Sequence, residues 1–155
     1  MRVNVISDLH LEFADLELPG GDVLVISGDA CESRTLRKYK YDPQNIMNEQ
    51  GDIKRLDRAA RFFNEEVTKY RQAIYVMGNH EHYHGKFYKT WHELIAEMPD
   101  NVEVLEQQSV YIDGVLFLGA TLWTSCNKGD PLTIQTLKHG MNDYRVITNR
   151  VYEDR

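Results

Sequence analysis

The chain has 155 residues, a formal net charge of -6 at pH 7 and 42% hydrophobic residues. This length suits one globular domain, and the acidic balance argues against a general surface for binding polyanions. The two cysteines form no Cys-x-x-Cys pair, which excludes a disulfide framework and is typical of a reducing compartment. We therefore expect a single domain over residues 1–155.

The amino-terminal apolar run meets Asp8 before it is long enough for a signal peptide, and no other run is long enough to cross a bilayer. A cytoplasmic protein with no membrane partner is the resulting prediction. The first two predicted strands cover residues 2–7 and 22–27. The second is nearly all apolar, which is typical of a strand covered on both faces in an α/β fold. Residues 31–51 are polar and irregular, and a loop of this length is usually functional or disordered.

Helices and strands alternate through the middle of the chain. Apolar residues recur at helical spacing over residues 53–70 and again over residues 86–98, with Pro99 ending the second pattern. An apolar run over residues 73–77 lies between these helices, and the order strand, helix, strand indicates a parallel crossover. Further along, Asp113-Gly114 between two apolar runs is a strong hairpin signal.

Three of the predicted strands run directly into residue types that bind metal ions. Asp8 and His10 follow the first strand, Asp29 follows the second, and Asn79 and His80 follow the third. Because side chains at i and i+2 leave a strand on the same side, Asp8 and His10 can converge on one ion. Ligands outside the carboxyl ends of strands mark the usual site of an open α/β sheet. Oxygen donors mixed with imidazole favour Mn, Fe or Zn.

The motifs Ser7-Asp8-Leu9-His10, Gly28-Asp29 and Gly78-Asn79-His80-Glu81, in this order and each after a strand, resemble those of the calcineurin-like metallophosphoesterases. The resemblance covers residues 1 to about 125 and implies an α/β fold of mixed β-sheet layers flanked by helices. The stretches 119–124 and 141–145 further resemble a bacterial and phage branch of that family. The implied activity is metal-dependent hydrolysis of a phosphomonoester or phosphodiester.

The resemblance also implies a role for each motif residue. Asp8 and His10 would hold the first metal ion, Asp29 would bridge two ions, and Asn79 would bind the second. His80 would act as a general acid or an electrostatic clamp. Two divalent ions lower the pKa of a bridging water, and the resulting hydroxide attacks phosphorus in line. No side-chain nucleophile is needed in such a mechanism.

The family's later histidine motifs, including a Gly-His-x-His turn, have no recognisable counterpart in this sequence. The second ion would lack two protein ligands and bind weakly, since water must fill the vacancies. Three explanations stay open: the missing ligands lie outside the given residues, a second chain or His82, His84 or His139 replaces them, or catalysis has been lost. The missing half of the sheet sandwich would also expose apolar faces, which predicts a homodimer or a rearranged sheet.

Three interpretations of the site therefore compete. The first is a phosphoesterase acting on a phosphate-ester substrate, with nucleic acid as a partner only in the role of substrate. The second is a metal-binding or interaction module that has kept the fold and lost turnover. In the third, Asp8, Asp29 and Asn79 are ordinary turn residues, which leaves His10 and His80 unexplained.

Overall fold

A computed structural model describes residues 1–38 and 58–149. A parallel sheet with the strand order β1-β2-β3-β4 forms the centre of this part; its strands are β1 (Val3–Ile6), β2 (Gly21–Ser27), β3 (Tyr70–Val76) and β4 (Val102–Val104). Ile6 lies opposite Ile26, which in turn lies opposite Tyr75. The carboxyl ends of the first three strands therefore meet at one edge, and the predicted parallel crossover is confirmed.

Helices cover one face of this sheet. They are α1 (Ser33–Lys38), α2 (residues 58–69) and α3 (Phe87–Ile95). Along α2 the backbone changes from α-helix to π-helix at Phe62–Glu66 and to 3-10 helix at Val67–Lys69. Phe63 of α2 stacks on Tyr75 of β3 with the ring centroids 5.4 Å apart. Leu94 of α3 is fully buried in the same apolar cluster.

A β-hairpin covers part of the opposite face. Its strands β5 (Gln108–Ile112) and β6 (Val115–Gly119) pair antiparallel on either side of Asp113 and Gly114, whose φ angles are 47° and 84°. Two successive residues with positive φ give the tight turn that an Asp-Gly pair favours, so the predicted hairpin is confirmed. Ile112 packs against Ile74 in a second apolar cluster. Helices on one face and a small sheet on the other confirm the predicted α/β class.

The hairpin leaves the β1 end of its face uncovered. Val3 and Val5 are 38% and 66% exposed, although Val23, the partner of Val3 on β2, is fully buried. Leu116 and Leu118 of β6 are 56% and 78% exposed. These side chains are the exposed apolar surface that a half-covered sheet is expected to show. The predicted homodimer is not tested by a single chain and stays a prediction.

Several predicted boundaries differ from the structure, and the third strand covers Tyr70–Val76 instead of residues 73–77. The prediction of an irregular stretch over residues 31–51 is wrong for residues 33–38, which form α1 because Leu36 packs into the core. The helix predicted to reach residue 70 ends at Lys69, since Tyr70 already pairs with Gly21 in the sheet. The start of that helix and residues 39–51 lie outside the described residues. The helix predicted over residues 86–98 ends at Ile95, before Pro99 is reached.

Three further helices complete the described part of the chain: α4 (Cys126–Gly129), α5 (Pro131–Gly140) and α6 (Asp143–Val146). α4 is a single turn in which Asn127 and Lys128 have positive φ, whereas α5 begins with Asp130 accepting a hydrogen bond from the backbone of Thr133. Within residues 1–38 and 58–149, none of the helices has the length and apolar character needed to cross a membrane.

Two neighbouring aliphatic residues of α3 test this packing. Replacing Leu94 by alanine should lower the free energy of unfolding by about 2–5 kcal/mol, because the side chain is fully buried. Ile95 is 42% exposed, and Ile95→Ala is the matched control, with an expected loss below about 1 kcal/mol. Urea denaturation measures both. Equal losses in the two variants would show that α3 packs on the sheet in another orientation.

Candidate metal centre

The loops that follow β1, β2 and β3 meet at the carboxyl edge of the sheet. Backbone pairing continues past the first two strands, with the N–H of Asp8 donating to Gly28 O at 3.1 Å and that of His10 to Asp29 O at 3.0 Å. Asp8, His10 and Asp29 have φ angles of 52°, 44° and 52°. Positive φ is uncommon outside glycine and clusters at functional sites. The backbone therefore bends where it has to turn these three side chains towards one point.

Two overlapping groups of side chains have the geometry of metal ligands. Asp8, His10 and Asp29 each offer a ligand atom within 4.8 Å of the other two. The second group shares His10 and adds Glu12 and His80 under the same limit. His10 Nδ1 is buried and has no hydrogen-bond partner among the described residues, as expected of an imidazole that is available to a cation. Carboxylates mixed with imidazoles therefore fit a divalent transition metal ion here.

Two glycines allow the second and third loops to touch. A Cβ atom on Gly78 would overlap the Asp29 carboxylate and lie 2.8 Å from Asp29 N, and one on Gly28 would lie 2.9 Å from Gly78 Cα. The backbone N–H of His80 donates to Asp29 Oδ1 at 2.9 Å. The third loop therefore fixes one oxygen of the Asp29 carboxylate. The close approach of the two loops requires a glycine at position 78.

Glu81 ties these two loops together. Its fully buried carboxylate accepts hydrogen bonds from the backbone N–H groups of Asp29 (3.1 Å), Ala30 (2.7 Å) and Gly78 (2.7 Å) and from the Tyr75 hydroxyl (2.7 Å). Burial raises the pKa of the Glu81 carboxyl, and these hydrogen bonds act in the opposite direction. Glu81 is the last residue of the motif Gly78-Asn79-His80-Glu81. Its role could not be predicted from the sequence, because its backbone donors come from two separate loops.

The His80 ring lies close to both His10 and Glu12. Its ring meets His10 edge-on with centroids 4.4 Å apart, and its Nδ1 is 3.3 Å from Glu12 Oε1. Glu12 is therefore a second site residue that sequence reasoning missed. The signal that could have found it is its spacing, two residues after His10 in the same run of alternating Asp, His and Glu.

Asn79 faces a cavity of about 580 Å³ at the same edge of the sheet. Its side-chain N–H donates to the Tyr83 hydroxyl at 3.4 Å, a contact that does not use the amide oxygen. The rest of the cavity wall comes from Ser27, from residues 76–78, from the end of the hairpin with residues 120–124, and from Met141 and Asp143.

The three additional histidine candidates lie apart from both ligand groups in the described structure. His82 is buried and stacks on Phe87 with centroids 4.4 Å apart, whereas His84 and His139 are exposed. Residues 80–82 form one turn of 3-10 helix. The strand-like spacing that would direct three alternating imidazoles to one place is therefore wrong, because a tight helical turn sends successive side chains in different directions.

The buried imidazole of His82 predicts a pH dependence of stability. Burial lowers the pKa of His82 to about 4 from 6.5. The native state then keeps the ring neutral while the unfolded chain binds a proton, so stability is complete above pH 6.5 and falls as the pH drops towards 4. Between pH 7 and pH 5 this group should cost about 2 kcal/mol of unfolding free energy. Urea denaturation should show a smaller loss in His82→Phe, which keeps the stacking, and an unchanged loss in a control at the exposed His92. An unchanged loss in His82→Phe would contradict the assignment.

The close contact between Gly78 and Asp29 should affect metal binding. Gly78→Ala should displace the Asp29 carboxylate and weaken Mn²⁺ binding by about 10-fold or more, measured by calorimetric titration. A Cβ on Gly140 would meet nothing within 4 Å, so Gly140→Ala is the matched control and should bind as the parent does. Equal affinities in both variants would mean that the contact between the loops does not position a ligand.

Comparison with known proteins adds an independent observation. A family model described as calcineurin-like phosphoesterase matches residues 1–151. The chain is also 26% identical over 159 residues to an uncharacterised protein of Acanthamoeba polyphaga mimivirus, in an alignment that covers 95% of this chain and 52% of the relative. It thus spans about half the length of that curated relative. The bacterial and phage branch is not tested by these matches and stays a prediction. With nearly its whole length matched and its three motifs gathered at one edge of the sheet, the chain belongs to the calcineurin-like phosphoesterase family.

Proposed function

We propose that this chain hydrolyses phosphomonoesters or phosphodiesters with divalent cations bound at the carboxyl edge of the sheet. The proposed ligands are Asp8, His10, Asp29 and Asn79. The observation that carries the proposal is the convergence of ligand atoms from Asp8, His10 and Asp29 within 4.8 Å. Membership of a phosphoesterase family supports the reaction type.

In this proposal some residues bind the cations and others orient the ligands. Bound divalent cations supply Lewis acidity and an activated water for attack at phosphorus. Asp8 and His10 leave the same loop and approach from the β1 side. Asp29 is the proposed ligand between the two cations. One of its oxygens accepts a hydrogen bond from the N–H of His80 at 2.9 Å. That contact holds the carboxylate in one orientation when the site is loaded.

His80 is the proposed proton donor or hydrogen-bond donor to the leaving oxygen. Its ring lies beside the ligand His10, and Glu12 Oε1 is 3.3 Å from its Nδ1. Holding one ring nitrogen in this way orients the ring and leaves Nε2 for the substrate. The cavity of about 580 Å³ beside Asn79 is the proposed place for the phosphate ester.

A metal-binding module without turnover is the second candidate function. Neither ligand group within residues 1–38 and 58–149 contains His82, His84 or His139, and His84 and His139 are exposed. Weak binding of a second cation would remove the two-ion attack while the first site stayed intact. The two candidates therefore differ in turnover rather than in metal binding.

A hydrolysis assay separates the two candidates. Wild-type protein should hydrolyse bis(p-nitrophenyl) phosphate only with added Mn²⁺, and Asp29→Asn should lose about 100-fold or more of this rate because it removes the central ligand. Asp100→Asn, at an exposed turn, is the matched control and should keep the full rate. Circular dichroism checks that both variants fold. Metal binding without hydrolysis above the Asp29→Asn level would favour the non-catalytic module.

A further inference from the structure

A carboxylate outside both ligand groups faces the same cavity as Asn79. Asp143 lies in the first turn of α6, and both residues line the cavity of about 580 Å³ at the carboxyl edge of the sheet. Asp143 Oδ1 is buried and accepts no hydrogen bond from any residue that the structure describes. A buried carboxylate oxygen without a partner is unfavourable unless a cation or donor binds it.

Backbone contacts fix Asp143 beside the third loop. Three hydrogen bonds of 2.9, 2.9 and 3.1 Å join residues 84–87, which follow His80, to residues 146–148, which follow Asp143. Lys86 and Thr148 form an isolated parallel bridge within this contact. The short helix that carries Asp143 is therefore attached to the segment that carries Asn79 and His80.

Two ordinary roles for Asp143 do not account for this arrangement. A carboxylate near a helix amino terminus is stabilised by free backbone N–H groups, but Oδ1 accepts no hydrogen bond from those of α6. An ion pair is the other ordinary role, and Oδ1 has no hydrogen bond to a cationic side chain among the described residues. Arg145, two residues away, donates instead to His139 O at 2.8 Å.

We propose that Asp143 is a further anionic ligand for a divalent cation on the Asn79 side of the site. It would join Asp29 and Asn79, so that three oxygen ligands from three separate segments hold the second cation. The inference rests on the proposed function, and it supplies one of the two ligands that the second cation would otherwise lack. It assigns to α6 a role in metal binding that the two ligand groups around His10 do not include.

Calorimetric titration of the metal-free full chain with Mn²⁺ tests this inference. Wild-type protein should bind two ions of unequal affinity. Asp143→Asn should weaken the weaker site by about 10- to 100-fold and leave the tighter site unchanged. Asp143→Glu keeps the charge and should retain more of the affinity, Asp143→Ser serves as a second neutral variant, and Asp100→Asn is the matched control with both sites unchanged.

Thermal denaturation without metal distinguishes a ligand from a purely structural residue, because loss of a structural residue should lower the melting temperature. Removing a charge whose Oδ1 is buried without a partner among the described residues should leave the melting temperature of Asp143→Asn equal to or above that of the wild type. A lowered melting temperature with both affinities intact would mean that Asp143 stabilises α6, which overturns the inference.

The outcomes also separate this inference from the proposed function. Two Mn²⁺ sites unchanged in Asp143→Asn, or a single ion bound by the wild type, would overturn the role of Asp143 while hydrolysis could still be observed. Unchanged binding in Asp29→Asn would instead overturn the proposed centre itself. An effect of Asp143→Asn on the weaker site without any hydrolysis by the wild type would support Asp143 as a ligand and remove the proposed activity.

Discussion

The site depends on one buried carboxylate. Glu81 accepts four hydrogen bonds, three from backbone N–H groups of the second and third loops and one from Tyr75. These N–H groups would lose their partners without it, and an unsatisfied buried donor costs about 1–3 kcal/mol each. A metal site needs rigid loops, and this carboxylate, which lies beneath the ligands without being one of them, supplies the rigidity. Residues with positive φ such as Asp29 are held in place by the same contacts.

Local signals explain how much of the fold and site could be predicted. The apolar runs before Asp8, Asp29 and Asn79 become adjacent parallel strands because each run is short, apolar and ends at polar residues. The Asp113-Gly114 turn follows from backbone preference alone. Glu81 and Glu12 were missed for a different reason. Their function depends on which backbone atoms or rings lie next to them after folding, and no periodicity in the sequence reports that.

Tertiary contacts also decided where the elements end. α2 tightens to a 3-10 turn before Tyr70 because that residue pairs with Gly21, so helical spacing in the sequence does not set the boundary. His82 shows the same effect, since a histidine in a polar stretch is packed against an aromatic ring once the turn forms. Val3 and Val5 are exposed on the sheet face that the hairpin does not cover. The chain spans about half the length of the viral protein with which it was compared.

The central claim is that three loops, the second and third of them joined by Glu81, bring Asp8, His10 and Asp29 to one cation. Anomalous diffraction from crystals of the protein grown with Mn²⁺ tests this claim most directly, because it locates the ion without relying on activity. The account predicts a manganese peak bounded by these three side chains. A peak elsewhere, or none at a concentration that saturates binding in solution, would contradict it.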